Sequence, residues 1–438
     1  MKKNLLYVTF VNLVNGFAGI AFIPLALKSL GTEGYGLYSI FVILVSYIYF
    51  VEMGVAKYFT RTIAQASNVS EEQKIMRSAT GMYIRITLLL FIITPILFFI
   101  IPKWVFPTNN HGLVSIIVIF ASLDYLLSIP PTIKLTYNLG KEEFEHISKF
   151  NLISGLSKHL FLIGSVLIFK SVILLIITVL LRRVFDILYA KKFLKSMPKG
   201  SWQPQYAKGE FKKIFSQSIV LSMAQLTQIT ILSIGTFLIN RNFTMKEVGI
   251  YKATFDLASK VSFFSNSLGM VVFPRFSSVL KRTEEKISLL NKMPLYYKIS
   301  WLVYSILFLI SLVIIPIIPN ILNIQDMELF YLLLYGACLN AHANLSYEFL
   351  QADARLKEVI IPSIITLLMM SVIFYLTLDY YSFYAIGISW VLSQVFNSMC
   401  MDTMVLRKIR KSSSITTICF NLIISIGVII LYLSLGVY

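Results

Sequence analysis

The stretch from Val248 to Val271, VGIYKATFDLASKVSFFSNSLGMV, holds 24 residues, most of them apolar or small. As a helix it is about 36 Å long, enough to cross a hydrocarbon core of about 30 Å. Within it Lys252, Asp256 and Lys260 recur every fourth residue. That spacing stacks the three charges on one helical face. A charge at mid-bilayer costs about 2.5–3.5 kcal/mol on insertion scales, so a chain keeps such groups where they pair or line a wet cavity.

The surrounding chain has the same character. Its 438 residues are 57% hydrophobic and 14% charged, with a mean hydropathy of +0.76. A soluble protein of this length needs far more polar surface. Apolar runs of about 20 residues recur from end to end, which defines an all-α polytopic membrane protein. Thirteen spans are expected, at 5–27, 35–56, 79–101, 112–136, 147–169, 171–190, 214–239, 248–271, 295–318, 328–350, 359–378, 383–405 and 415–436. The first begins after Met1-Lys2-Lys3 and carries Asn12 and Asn15. Without a small-residue cleavage site it reads as an uncleaved span, not a signal peptide.

The net charge of +18 sits in short loops and forms no separate basic domain, which argues against a nucleic-acid partner. Thirty of the 39 Lys and Arg residues fall on the side of Lys2 and Lys3, with the run from Arg182 to Lys213 counted among the loops. Five fall on the other side, and Arg85, Lys158, Lys252 and Lys260 lie within spans. The bias makes the first side cytoplasmic and, with thirteen spans, puts the C-terminus in the periplasm. Cys338, Cys400 and Cys419 all lie in apolar segments without metal-ligand spacing, so they read as small buried hydrophobes. No cofactor or metal is expected.

Residues 191–213, rich in Lys with Pro and Gly, read as a cytoplasmic linker between a first lobe at 1–190 and a second at 214–406, with an extra span in 407–438. Shifting the first six spans by 213 residues lands each near one of spans seven to twelve. Gly36-Leu37-Tyr38 then matches Gly249-Ile250-Tyr251, and Asn12 and Asn15 match Gln225 and Gln228. Six helices is an even number, so the two lobes share one topology around an axis along the membrane normal, with a central cleft between them.

Amides in lipid need partners. Asn12, Asn15, Gln225 and Gln228 therefore either bond between helices or line the cleft. The membrane-depth charges are Arg85, Lys158, Lys252 and Lys260 against Asp124 and Asp256. Two carboxylates cannot neutralise four cations, so the surplus faces water or an anionic ligand unless carboxylates nearer span ends (Glu52, Asp186, Glu348, Asp402) contribute or a lysine loses its proton. Asp124 and Asp256 are also the candidates for proton or sodium coupling. His159 follows Lys158 and reads as structural; His111, His146 and His342 do not cluster with it in sequence.

Four segments carry a family resemblance: IPLALKSLGTEGYGLYSIF after span one, VEMGVAKYFTRTIAQ at the end of span two, then EVGIYKATFDLASKV and VVFPRFSSVL. Over residues 1 to about 406 the chain resembles the Wzx-type polysaccharide flippases of the multidrug/oligosaccharidyl-lipid/polysaccharide exporter superfamily. Glu52 stands where such proteins often carry Asp, and a thirteenth span departs from their twelve or fourteen. The resemblance implies two six-helix lobes around a V-shaped cleft. It implies a substrate of oligosaccharide linked to undecaprenyl diphosphate, moved to the periplasmic leaflet of a bacterial inner membrane. It also implies a cationic cleft for the diphosphate, a role that depth and charge give to Arg85, Lys158, Lys252 and Lys260, with Lys260 expected to meet the diphosphate. Membrane lipids and other polysaccharide-assembly membrane proteins are the expected neighbours.

Rival readings are a peptidoglycan-precursor flippase or a cation-coupled multidrug exporter of the same superfamily. A surplus of cleft cations argues against cationic drugs. From another class, a membrane sugar polymerase or glycosyltransferase needs a sizeable outer loop with catalytic carboxylates or arginines. The outer loops here are short. The chain has no Walker-type phosphate loop either.

Overall fold

The computed structural model describes residues 2–101, 111–205, 208–263, 265–266, 269, 273, 276, 279, 283–317, 324–353 and 355–407. Their regular structure is helical. The helices are α1 (Lys2–Ile63), α2 (Val69–Ile100), α3 (His111–Gly140), α4 (Phe144–Phe169), α5 (Val172–Phe193), α6 (Lys208–Asn242), α7 (Met245–Ala258), α8 (Thr283–Ile314), α9 (Met327–Ala352), α10 (Lys357–Tyr381) and α11 (Ala385–Leu406).

Among the described residues, seven stretches are long and apolar enough to cross a membrane, and two of these, Thr9–Phe50 and Lys357–Leu406, are long enough to cross twice. Each long stretch breaks where the backbone turns left-handed. Gly31 in α1 has φ +72, and Ser382 between α10 and α11 has φ +47. Lys170, also left-handed, separates α4 from α5, the narrowest separation in the sequence reading. Side-chain caps fix other starts: Asn68 accepts from the Glu71 amide at 2.9 Å before α2, and Asp326 accepts from the Leu329 amide at 2.9 Å before α9. The helices thus follow eleven of the first twelve expected spans; the eighth, 248–271, is regular helix only to Ala258 and lies partly outside the described residues. The thirteenth, 415–436, lies outside the described residues.

Helix faces turned away from the core are apolar. Leu88, Phe91, Ile92 and Phe99 of α2, Leu160 and Ile168 of α4, and Leu368, Val372 and Leu376 of α10 are all exposed. Such surfaces suit lipid and not water.

By its packing the chain divides into two compact units, Met1–Lys252 and Ala253–Tyr438. In the first, α1 packs on α3, α4 and α6. Here the segments matched by the 213-residue offset touch each other. A Cβ on Gly36 would lie 3.2 Å from the Met245 carbonyl oxygen, and a Cβ on Gly249 would overlap the carbonyl of Thr32. Thr32 and Met245 are themselves related by the offset, so the contact is reciprocal, as a two-fold relation requires. The same offset carries the bounds of α5, Val172–Phe193, onto those of α11, Ala385–Leu406.

The basic connection after α5 is an ordered strap. Gln73 Nε2 donates to the Lys199 carbonyl at 2.7 Å, Thr80 Oγ1 to that of Ser201 at 3.0 Å, and Arg77 Nε to that of Gln203 at 3.3 Å. Asn138 bonds the Lys195 backbone in both directions, at 3.1 and 3.0 Å. Residues 195–205 are thereby tied to the Lys/Arg-rich ends of α2 and α3.

In the second unit, α9 and α10 pack on α11, and α8 packs on α9. The stretch that contains Lys252, Asp256 and Lys260 departs from one regular helix. α7 ends at Ala258, and Ser259–Ser262 form a tighter 3₁₀ turn. Ser259 Oγ donates to the Asp256 carbonyl at 3.1 Å, a side-chain bond that competes with the regular backbone ladder. Lys252 and Asp256 keep helical spacing, whereas Lys260 sits in the tightened turn.

Candidate functional site

The charged centre of the first unit is a cluster that the sequence reading only half identified. Arg182 and Arg183 were expected in a cytoplasmic loop; they lie midway along α5, and Arg182 is buried. Arg183 grips Asp124 of α3 with both edges of its guanidinium, Nε to Oδ1 at 2.7 Å and Nη2 to Oδ2 at 2.8 Å. This fork geometry is the strong form of an Arg–carboxylate pair. The Tyr49 hydroxyl of α1 donates to Asp124 Oδ2 at 3.0 Å and accepts from Arg183 Nη2 at 3.2 Å. Arg182 pairs with Asp186, one turn on along α5. Asp186 also accepts from Ser154 Oγ of α4 at 2.6 Å and lies 3.3 Å from Arg183. One network thus joins α1, α3, α4 and α5.

Its charges balance: two guanidiniums face two carboxylates. Glu52 of α1, one helical turn beyond Tyr49, adds a third carboxyl at 3% exposure. Its Oε2 has no hydrogen-bond partner among the described residues. A buried carboxylate short of donors costs several kcal/mol, which sets Glu52 apart from the paired Asp124 and Asp186.

The other expected site residues are spread over several helices. Arg85 is half-buried on α2. Lys158 is exposed on α4, beside exposed Leu156 and Leu160. Lys252 is buried on α7, at 8% exposure. Asp256 and Lys260 are half-buried in the second unit, and Lys260 Nζ lies 5.8 Å from the centre of the Phe263 ring. Asn12 and Asn15 are half-buried on α1. Asn15 Nδ2 donates to the Asn151 carbonyl of α4 at 3.1 Å, an interhelical bond. Gln225 and Gln228 are half-buried on α6, whose neighbours Ser218 and Ser222 are buried against Gly54 of α1.

Sequence reasoning missed Arg183 because a pair of arginines shortly before Lys191 and Lys192 reads as the start of a basic loop. The available signal was Asp186 three residues later, at the right spacing for a shared helical face.

These helices, with charge held inside and apolar faces outside, define a multi-pass membrane protein. A multidrug-resistance MATE family transporter of the MOP superfamily, solved in an inward-facing conformation, superposes with a TM-score of 0.64 at 12% identity, over 92% of this chain and 99% of that one. A MATE transporter of Vibrio cholerae gives 0.66 at 12% identity, over 93% and 97%. The chain belongs to the polysaccharide biosynthesis protein family, whose sequence model matches residues 1–280. It is also 21% identical over 391 residues to a Shigella flexneri protein named "Putative O-antigen transporter", covering 86% of this chain and 90% of that protein.

Proposed function

We propose that the chain is a flippase for lipid-linked oligosaccharide. It moves repeat units carried on undecaprenyl diphosphate from the cytoplasmic to the periplasmic leaflet of a bacterial inner membrane, by alternating access. The observation that carries this reading is the family match over residues 1–280, together with the Shigella flexneri relative named "Putative O-antigen transporter". Arg183 takes up Asp124, and this reading assigns Arg85, Lys158, Lys252 and Lys260 to the path of the headgroup. A diphosphate brings about two negative charges, and cations along its path offset the loss of its hydration. The lipid tail stays in the bilayer while the headgroup passes. An inside-negative potential favours outward movement of an anion by about 2.3 kcal/mol per charge per 100 mV. Family membership supports a polysaccharide cargo over a cationic drug or a sugar-joining reaction.

Two tests follow. Deleting the gene should cause lipid-linked oligosaccharide to accumulate on the cytoplasmic face; its undiminished appearance on the periplasmic face sinks the proposal. Lys158→Gln and Lys260→Gln should each lower export several-fold while the protein inserts at its normal level. Unchanged surface polysaccharide in both variants removes those two residues from the path.

A further inference from the structure

The second unit contains a buried acid–base pair that none of the roles assigned so far uses. His342 of α9 and Asp402 of α11 are each 1% exposed, and His342 Nε2 lies 2.8 Å from Asp402 Oδ2. Asp402 Oδ1 accepts from Ser346 Oγ at 2.8 Å. Ser346 Oγ is in turn 2.8 Å from the Tyr297 hydroxyl of α8. Ser346 has one proton and gives it to the carboxylate, so Tyr297 donates to Ser346. At the other end, His342 Nδ1 is 3.0 Å from Ser300 Oγ of α8. The imidazole packs against the rings of Trp301 and Tyr297, at centroid distances of 4.8 and 5.9 Å.

This chain of contacts accepts two protonation states without losing a bond. With neutral His342, Nε2–H donates to Asp402 and Nδ1 accepts from the Ser300 hydroxyl. With the imidazolium, Nδ1–H donates and the Ser300 hydroxyl turns to accept. The positive charge then faces Asp402. Arg355, which follows α9, is a further charge whose field reaches this frame, through Tyr297. Arg355 is engaged by Glu358 and the Met404 carbonyl.

The first unit gives the contrast. Its buried pair, Asp124 with Arg183, joins α3 to α5, which the 213-residue offset maps onto α9 and α11. Acid and base have exchanged helices, and the base there is a guanidinium, which does not titrate in proteins. Of the two pairs, only the one in the second unit contains an imidazole, the side-chain type used for proton exchange near neutral pH.

We propose that His342 and Asp402 form a one-proton binding site, with Ser300, Ser346 and Tyr297 as its hydrogen-bonded frame, and that its loading is coupled to transport. The coupling half rests on the flippase reading; the proton site itself does not. The full chain, with ¹⁵N-labelled histidine, is reconstituted in lipid and titrated by solid-state NMR, using His342→Gln to assign the resonance. The His342 imidazole should change protonation between pH 5 and 8, and Asp402→Asn should move that change to lower pH. An imidazole that keeps one state from pH 5 to 9 overturns the site. In proteoliposomes loaded with lipid-linked oligosaccharide, the final distribution should respond to a gradient of one pH unit by roughly tenfold per coupled proton. His342→Gln should bring the ratio with and without the gradient to one. A ratio unchanged from wild type in His342→Gln and Asp402→Asn overturns the coupling. A wild type that moves no substrate under any gradient sinks the flippase reading and the coupling with it, while the titration still decides the proton site.

Discussion

Arg183→Met should strongly destabilise the protein, by about 3–5 kcal/mol, because it strands Asp124 without its countercharge at 1% exposure. The bidentate grip at 2.7 and 2.8 Å supplies two of the bonds that make the carboxylate tolerable there, and Tyr49 alone cannot replace them. In a thermal-unfolding assay in detergent the variant should melt well below wild type, and its level in the membrane should fall. Removing both charges should be far milder: Asp124→Leu with Arg183→Met leaves no buried ion to solvate. A double variant as unstable as the single one would mean that the pair is not the source of the loss. The cycle also separates stability from transport, since this pair is assigned no part in binding the diphosphate.

Gly249→Ala should be the second severe change. A Cβ at this position overlaps the carbonyl oxygen of Thr32, a backbone group that cannot rotate away. Overpacking commonly costs about 1–3 kcal/mol, and a fixed backbone neighbour places this case at the top of that range or beyond. Gly36→Ala should cost less, since its Cβ would approach the Met245 carbonyl only to 3.2 Å. Gly164, where an added Cβ would meet nothing within 4 Å, is the control; Gly164→Ala should unfold at or above the wild-type temperature. Equal melting temperatures for Gly249→Ala and Gly164→Ala would show that α1 and α7 do not meet as closely as described.

Much of the fold could be read from the sequence because a membrane imposes a simple rule. Apolar runs of sufficient length become helices, and polar or left-handed residues mark where they stop. Lys170 was legible as a boundary for that reason. The match of Gly36 to Gly249 was legible as well, since the two keep the 213-residue spacing and each meets the other's segment. The partners of buried charges were not. Asp124 and Arg183 stand on helices far apart in the chain, as do His342 and Asp402, and sequence periodicity carries no information about which helices become neighbours. His342 therefore read as an isolated histidine and Asp402 as a carboxylate near a span end. Lys252, Asp256 and Lys260 were legible as a stripe, but the serine-bonded turn at Ser259–Ser262 was not, because a hydroxyl that competes for a backbone carbonyl leaves the hydrophobic pattern unchanged.

The glycine contact has a consequence for ancestry. A patch in which Thr32 meets Gly249 while Gly36 meets Met245 is the kind of surface that a homodimer makes with itself. A half-length ancestor with one such glycine would have paired with its own copy, and duplication followed by fusion would have fixed that pairing within one chain. Once fused, the halves were free to diverge around a shared seam. One holds a guanidinium–carboxylate pair between α3 and α5, and the other an imidazole–carboxylate pair between α9 and α11.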